Sequence, residues 1–350
     1  MSLRSPALRA LALAVTACAG WTASVHADTL SVVTFGGAYE AAVKPAYFEP
    51  FTAQTKHEFT YQSYSGGLAK LQAMVQARNV TWDIVDLEAS DAMRACEEGL
   101  LERFDKKLLG DTQDFLPGTI SDCAVASMVW STVYAYDSTK ISGSPTSIQD
   151  FFDIETFPGK RGMRKSAKGT LEWALMADGV AKDDVYKTLA TKAGVERAFK
   201  KLDTIKNSIV WWDSGAQAPQ LLADGAVAMV AAYNGRISDA VKKDGKPFKV
   251  VWDAQLYDFE WWGVPKGAKN AKVAAEFIAF ASQPQRYADL TNYIPYAPPR
   301  KKAIDLIDAE RLNDLPTAPA NFKNSLQVDA GFWADKGDSL GKQFQNWLTR

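Results

Sequence analysis

The sequence predicts an α/β fold in which helices cover an open, largely parallel sheet. Short apolar runs rich in β-branched residues alternate with helical patterns along the chain. Glycine or small polar residues end these runs, as is typical of parallel βαβ units. The length of 350 residues adds a third observation, because a chain of this size usually forms two domains with well-filled cores.

The first third of the chain contains three strand–helix units. The run Leu30 to Phe35 predicts a buried strand that ends at Gly36-Gly37. The helical pattern that follows, at 38–54, contains Pro45 and Pro50, which must kink or split the helix. The other elements predicted here are strand 59–64, helix 68–77, strand 82–87 and helix 90–98.

The longest β-like stretch runs from Val125 to Tyr136, and we expect it to cross between two lobes. Two short strands, 248–252 and 261–264, should then return the chain to the first lobe. The remaining predictions are a peripheral helical region at 144–157, helix 170–178, a helical pair in 185–204, strand 208–212, helix 219–223, strand 227–232 and helices 237–243, 271–281, 285–290 and 303–309.

The first 27 residues have the pattern of a cleavable signal peptide. A basic start is followed by an apolar run at 10–19 and by the small-residue site Val25-His26-Ala27. An alternative is a lipoprotein signal with Cys18 as the lipidated residue. We expect export to the periplasm.

Charge and cysteine content fit that compartment. The formal net charge is −1, which argues against nucleic-acid partners, because these require a strong basic excess. Loss of the first 27 residues would leave Cys96 and Cys123 as an even pair. A disulfide is expected in an oxidising compartment, and two buried free thiols are the alternative.

Catalytic patterns are scarce. Beyond the predicted signal peptide the only histidine is His57, which we expect to be a solvated turn residue. The sequence contains no G-x-S-x-G, Walker or G-x-G-x-x-G pattern, and the two cysteines lack zinc-ligand spacing. We therefore predict no enzyme activity, no cofactor and no metal site, although paired carboxylates leave a hydrolase open.

Aromatic residues recur at the ends of the predicted strands, beside acids. These positions include Phe35, Tyr39, Trp212, Tyr233 and the segment 257–262 (YDFEWW). Ligands of open α/β sheets bind outside the carboxyl ends of the strands. Aromatic faces next to carboxylates suit an alkylammonium group, with core packing as the alternative for each ring.

Several segments, in this order, resemble the periplasmic spermidine/putrescine-binding family of ABC importers: TFGGAYEAAVKPAYFEPF, WDIVD, ACEEGLLERFD, FPGKRG, DGAVAMVAAYNGR and WWGVPKGA. The resemblance implies a two-lobed type II periplasmic-binding-protein fold with two hinge crossings. It divides the chain into lobe 1, at 28–132 and 256–350, and lobe 2, at 133–255. It also implies a monomer that passes its ligand to an inner-membrane ABC permease.

The same resemblance places ligand-binding residues on this chain. Residues at the ends of predicted strands complete the expected set of ligand-binding residues. The set is Phe35, Gly36, Tyr39, Glu88, Ser90, Trp212, Tyr233, Glu260 and Tyr296. Glu260 matches the acid that holds an amine, and an exposed loop acid is the alternative.

One departure from the family affects the expected ligand. Where its polyamine binders carry acids, this chain has Arg164-Lys165-Ser166-Ala167-Lys168-Gly169, and Arg236 follows the Tyr-Asn-Gly turn. Cations near helix N-termini favour an anion site. We therefore add Arg164 and Arg236 to the site, and we expect Lys165 and Lys168 to be solvated. The leading hypothesis is a receptor for a polyamine or an ω-amino acid such as γ-aminobutyrate, with a carboxylate-based hydrolase and a chemosensory binding module as alternatives.

Overall fold

The computed structural model describes residues 27–350, so the predicted signal peptide, apart from its last residue, and Cys18 lie outside the described residues. Within that part of the chain, one mixed sheet has the strand order β2-β1-β3-β8-β4-β7-β5-β6, and β9 pairs with β8. The strands are β1 Thr29–Thr34, β2 Glu58–Ser63, β3 Ile84–Glu88, β4 Ala124–Asp137, β5 Arg161–Arg164, β6 Ile209–Trp212, β7 Met229–Tyr233, β8 Phe248–Gly263 and β9 Leu326–Gln327.

Helices cover both faces of this sheet. They are α1 Gly37–Val43, α2 Glu49–Thr55, α3 Ala69–Gln76, α4 Ala89–Glu97, α5 Ile148–Phe152, α6 Ala167–Ala177, α7 Val185–Leu189, α8 Lys192–Asp203, α9 Gln217–Ala223, α10 Asn234–Lys242, α11 Ala271–Ala281, α12 Pro284–Leu290, α13 Lys301–Ile304, α14 Ala309–Asn313 and α15 Ala330–Leu348. None of the helices in residues 27–350 is long and apolar enough to cross a membrane.

Two long antiparallel strands, β4 and β8, join the halves of the sheet. They pair with each other from Ala124↔Gly263 to Asp137↔Phe248. Strands β1 to β3 lie on one side of this pair and β5 to β7 on the other. We call these two halves the first and second lobes, and β4 crosses between them as predicted.

The two short strands predicted at 248–252 and 261–264 were wrong, because β8 is one continuous strand. Polar residues between them interrupt the apolar pattern. Gln255 is nevertheless fully buried, and its side chain bonds to Ser131 Oγ at 2.6 Å and to the Asn321 carbonyl at 2.6 Å. Ala254 has φ of 55°, next to a register shift in the β4–β8 ladder. The bulge and these hydrogen bonds let the strand continue through polar sequence.

The helix predicted at 38–54 is split as its prolines require. A π-helical turn at Lys44–Phe48 separates α1 from α2, and Pro45 and Pro50 each stand near the start of a segment. Proline lacks the N–H that a continuous helix would need at those positions. The helix predicted at 303–309 falls between α13 and α14, and the peripheral region at 144–157 forms only the short helix α5.

The last helix, α15, was missed in the sequence. Its buried residues Trp333, Leu340 and Phe344 share a core with α6 and α8 of the second lobe. The Trp333 indole N–H also donates to Glu172 at 2.6 Å. The predicted lobe boundaries stay a prediction, and this packing favours assigning α15 to the second lobe.

Two predictions about single residues have clear outcomes. The disulfide Cys96–Cys123 is present, with 5.6 Å between the Cα atoms, and links α4 to the start of β4. His57 was predicted to be solvated, which is wrong, because it is only 9% exposed. Its Nδ1 accepts the backbone N–H of Asp28 at 2.9 Å, and its ring stacks on Phe51. A backbone contact and an aromatic neighbour therefore hold the imidazole in a buried position.

Candidate ligand-binding site

The candidate site lies where strands of both lobes end against the β4–β8 pair. The turn after β1 is made by Gly36 and Gly37, whose φ angles are 61° and 60°. A Cβ atom on Gly37 would lie 2.6 Å from a guanidinium nitrogen of Arg236, and one on Gly36 would lie 2.6 Å from Ser63 Oγ. Glycine thus allows the first lobe to approach the second closely at this turn.

A cavity lies at this junction, and we call it the aromatic chamber. Its walls are mostly rings, contributed by both lobes and by the hinge strands. The lining residues are Phe35, Tyr39, Glu88, Met128, Trp130, Tyr233, Arg236, Glu260 and Tyr296. Seven of these were expected from the sequence; Met128 and Trp130 were missed. The walls therefore combine apolar area with a few charged groups, as small-molecule sites do.

Two charged side chains in the chamber have an atom without a partner. Among the described residues, Glu260 Oε1 and Arg236 Nε are buried and accept or donate no hydrogen bond. The other end of the guanidinium is fixed, because its Nη2 donates to the carbonyls of Phe35 at 3.0 Å and Gly36 at 3.2 Å. An unpartnered buried donor or acceptor is costly, which marks both atoms as places where a ligand would bind.

Glu260 is a strand residue rather than an exposed loop acid. It lies on β8, is 6% exposed, and pairs across the sheet with Glu88 of β3. Burial raises the pKa of Glu260 well above its ordinary value, and the neighbouring acids Asp86, Glu88 and Asp258 raise it further. The chamber thus holds a carboxyl group whose ionisation a bound cation would favour.

Glu88, in contrast, is already compensated. Arg164 Nη1 lies 2.6 Å from one of its carboxylate oxygens, and Lys168 forms an ion pair with the other. Burial alone would raise the pKa of Glu88, but Arg164 and Lys168 outweigh it and lower the pKa to about 2. The three side chains join β3 of the first lobe to β5 and α6 of the second. We call them the Glu88 cluster.

The expectation that Lys168 is solvated is wrong. Its side chain is only 16% exposed, and its ammonium also donates to Ser90 Oγ at 2.9 Å. Residues 168 and 169 have non-helical backbone angles, with φ of 85° at Gly169, and this kink accompanies the inward position of the lysine. Lys165, as expected, is exposed. Ser90 therefore contacts the Glu88 cluster instead of lining the aromatic chamber.

A second chamber adjoins the first. Trp130 and Tyr233 line both chambers, and their rings meet edge to face with 5.0 Å between centroids. Arg164 and Trp212 line only the second chamber; the Trp212 indole N–H donates to the Ala231 carbonyl at 3.1 Å. The expected residues Arg164 and Trp212 thus belong to an annex of the site, and Gly36 contributes its carbonyl to Arg236.

Two further buried acids belong to the site although the sequence analysis did not single them out. Asp86 is fully buried, and the Tyr39 hydroxyl donates to both of its oxygens at 2.9 Å. Asp258 lines the annex, and its Oδ2 is unpartnered in the described chain. Burial raises the pKa of Asp258 to about 7 despite the opposing effect of Lys168.

Two α/β lobes joined by two hinge strands, with a charged aromatic cavity between them, define a solute-binding protein. The sequence matches the family described as bacterial extracellular solute-binding protein over residues 46–320, and the chain belongs to this family. The family is extracellular, and its members deliver small molecules to ABC permeases.

Individual relatives agree with this assignment. A γ-aminobutyric acid-binding protein of Pseudomonas aeruginosa is 49% identical over 328 residues, covering 94% of this chain and 93% of that protein. A GABA receptor of known structure is 34% identical with a TM-score of 0.81, covering 92% of this chain and 98% of that one. A spermidine/putrescine substrate-binding protein of Streptococcus pneumoniae, at 17% identity and TM-score 0.70 over 92% and 100% of the two chains, shares the fold. The predicted family and its two-lobed fold are confirmed.

Proposed function

We propose that this protein is the periplasmic solute-binding component of an ABC importer and that its ligand is a short ω-amino acid such as γ-aminobutyrate. One observation carries the proposal. The aromatic chamber holds one unpartnered carboxylate atom, on Glu260, and one unpartnered guanidinium atom, on Arg236. Tyr296 lies near both Glu260 and Arg236, since the charges of these two side chains act on the pKa of Tyr296. Burial raises that pKa above its ordinary value.

In the proposed complex the two ends of the ligand are held by opposite charges. The ammonium group binds Glu260 and lies against aromatic faces, which attract cations. The carboxylate binds the Nε side of Arg236, which its two backbone acceptors hold in a fixed orientation. The methylene groups fill the apolar space between Tyr39, Trp130 and Tyr233.

Arg164 has a smaller part than the sequence suggested. Its Nη1 is engaged by Glu88, so a ligand carboxylate would have to compete with a carboxylate of the protein. We therefore propose Arg236 as the carboxylate anchor and the Glu88 cluster as a contact that holds the lobes together. Two relatives whose names state γ-aminobutyrate binding support this choice of ligand.

A polyamine is the second candidate, favoured by the number of buried acids. Asp86, Asp258 and Glu260 all have raised pKa values, each chiefly because of burial, and could take up positive charge. Arg236 argues against a polyamine ligand, because a bound polyamine would leave the Arg236 guanidinium unpaired next to a dication. As a receptor, the protein should bind its ligand stoichiometrically and leave it unchanged. We further propose that it acts as a monomer after cleavage of residues 1–27.

The test is a calorimetric titration of the chain without residues 1–27, freed of ligand by unfolding and refolding. The titrants are γ-aminobutyrate, putrescine and spermidine. Glu260→Gln should weaken γ-aminobutyrate binding about 10- to 150-fold, the loss expected for a charge-assisted hydrogen bond. Glu172→Gln is the matched control, because Glu172 is equally buried but bonds to Tyr186 and Trp333 away from the chamber. Tight diamine binding with no response to γ-aminobutyrate would overturn the ω-amino acid proposal.

A further inference from the structure

The Tyr-Asn-Gly-Arg turn at 233–236, where β7 ends and α10 begins, lies against the first lobe. Its Arg236 side chain donates two hydrogen bonds to carbonyls just after β1. A Cβ atom on Gly235 would lie 2.6 Å from side-chain atoms of Ile294 and of Tyr296, which both belong to a core of the first lobe. This turn of the second lobe is therefore in close contact with the first lobe.

The edge of β4 beside this turn changes its partner from one lobe to the other. Near the start of the strand, Val129 exchanges two backbone hydrogen bonds with Ala297 of the first lobe, at 2.7 and 2.9 Å. From Thr132 onward the same edge pairs with β7 of the second lobe, beginning at Tyr233. The change of partner is thus completed within a few residues of a strand that joins the lobes. Any movement of one lobe relative to the other acts on this short stretch.

The side chain of Asn234 lies at this change of partner. Its Oδ1 accepts the backbone N–H of Ser131 at 3.1 Å, directly after the last β4–β7 pair. Its Nδ2 donates to the carbonyl of Pro295 at 2.7 Å. A backbone N–H only donates and a carbonyl only accepts, so a carboxamide suits both partners at once. We call Asn234 with these two hydrogen bonds the Asn234 bridge.

The Asn234 bridge depends on the closed arrangement of the lobes. Asn234 is 2% exposed, so the protein supplies the partners of its carboxamide. A hinge rotation that parts the lobes moves α10 away from Pro295 and breaks the Nδ2 hydrogen bond. The neighbours Tyr233 and Arg236 line the aromatic chamber, whereas Asn234 does not. The bridge therefore acts on a ligand through the position of its neighbours.

We propose that Asn234 is a positioning residue that stabilises the closed arrangement and thereby raises the affinity for every ligand of the aromatic chamber by the same factor. This inference rests on the proposed receptor function, but it does not depend on which of the candidate ligands is bound. The closed state binds tightly, so the apparent affinity falls with the fraction of protein that is able to adopt it. Discrimination between ligands stays with Glu260 and Arg236.

The test uses Asn234→Ser in the chain without residues 1–27, because serine is too short to contact Ser131 and Pro295 together. Calorimetry with γ-aminobutyrate, putrescine and spermidine gives the affinities, and stopped-flow tryptophan fluorescence gives the rates. Each ligand that binds should bind about tenfold more weakly, by one common factor and through faster dissociation. Small-angle X-ray scattering should show a larger radius of gyration for the ligand-free variant than for the unmodified protein.

Two further variants support the comparison. Asn234→Asp keeps the length and the acceptor but loses the donor, so its affinities and radius of gyration should change in the same direction. Asn321→Ser is the matched control. The Nδ2 of Asn321 also donates to two backbone carbonyls, of Asn313 at 3.0 Å and of Leu315 at 2.8 Å, but Asn321 does not line the aromatic chamber. This control should keep the affinities and the radius of gyration of the unmodified protein.

The contrary outcomes are distinct. A loss of affinity for one ligand only, among several that bind, would make Asn234 a recognition residue and overturn the proposal. An equal loss in Asn321→Ser would attribute the effect to the removal of any amide contact. If none of the three ligands binds the unmodified protein, the proposed function fails, but the scattering of the ligand-free proteins still decides. An unchanged radius of gyration in both Asn234 variants overturns the proposal whether or not a ligand binds.

Discussion

Ligand binding should release a proton from the protein, because the pKa of Glu260 is raised in the chamber. Burial and the nearby acids Asp86, Glu88 and Asp258 hold the pKa of Glu260 well above its ordinary value. A bound ammonium group favours the ionised carboxylate and lowers that pKa. The proton therefore leaves when the amine arrives, with a further contribution from Asp258, whose pKa burial raises to about 7.

The size and direction of this effect follow from linkage. Release of one proton makes the association constant rise about tenfold per pH unit, over the interval between the bound-state and free-state pKa values of Glu260. Affinity should thus increase with pH between these two values and level off above the free-state pKa. The opposite sign holds for the stability of the empty protein. The native state binds more protons than the unfolded chain, so stability falls as the pH rises from the ordinary carboxyl value towards the raised one.

Calorimetry in phosphate and in imidazole buffer at the same pH measures the proton directly, since the two buffers differ in ionisation enthalpy. We expect about one proton per γ-aminobutyrate bound. Glu260→Gln should remove most of this release. Glu98→Gln should keep it, because Glu98 pairs with Arg94 and is not one of the acids around Glu260. Equal heats in both buffers, together with a flat dependence of affinity on pH, would refute the assignment of Glu260 as a protonated amine anchor.

Three other predictions concern charge and covalent structure. Arg236→Lys should weaken γ-aminobutyrate binding about 10-fold or more in calorimetry, because a lysine cannot bind a carboxylate bidentately. Any putrescine binding should stay unchanged. Equal losses of affinity for both ligands would indicate a general distortion of the site instead. Glu88→Gln should lower the free energy of unfolding by about 2 kcal/mol in urea titrations, because two partly buried cations lose their counter-charge. Glu98 is more exposed, so Glu98→Gln should lower the free energy of unfolding by less than about 1 kcal/mol. Replacing Cys96 and Cys123 by serine should lower the free energy of unfolding by about 3.5 kcal/mol, because the disulfide spans 27 residues. The affinity for γ-aminobutyrate should be retained. A decrease below about 1 kcal/mol in the same urea titration would contradict the loop-entropy account.

Much of the fold was predictable because strand ends and glycine turns are local signals. The run from Leu30 to Phe35 ends at Gly36-Gly37, and this pattern alone places Phe35 and Tyr39 at the carboxyl edge of the sheet, where both line the aromatic chamber. Trp130 was not predictable in this way. It lies in the middle of a strand whose residues are almost all buried, so nothing in the local pattern separates a wall of the chamber from the core.

Other misses arose where tertiary contacts override local composition. Lys168 stands in a basic segment that is typical of a solvated loop, and only the distant Glu88 explains its inward position. Helix α15 contains three glycines, which weaken helix propensity. Its buried residues Trp333, Leu340, Phe344 and Trp347 recur at intervals of 7, 4 and 3, which is a helical spacing that could have revealed it.

In the proposed complex, the balance of charge in the site favours a zwitterion over a diamine. Arg164, Lys168 and Arg236 bring three cations, and Arg164 and Lys168 hold Glu88 ionised. The raised pKa values of Glu260, Asp86 and Asp258 reduce the negative charge that opposes these cations, which favours an excess of positive charge. A diamine would add two more positive charges to this excess. A γ-amino acid adds none, and its ammonium group draws one negative charge onto Glu260 while its carboxylate neutralises Arg236. We therefore expect the cations around these buried acids to disfavour a second amine.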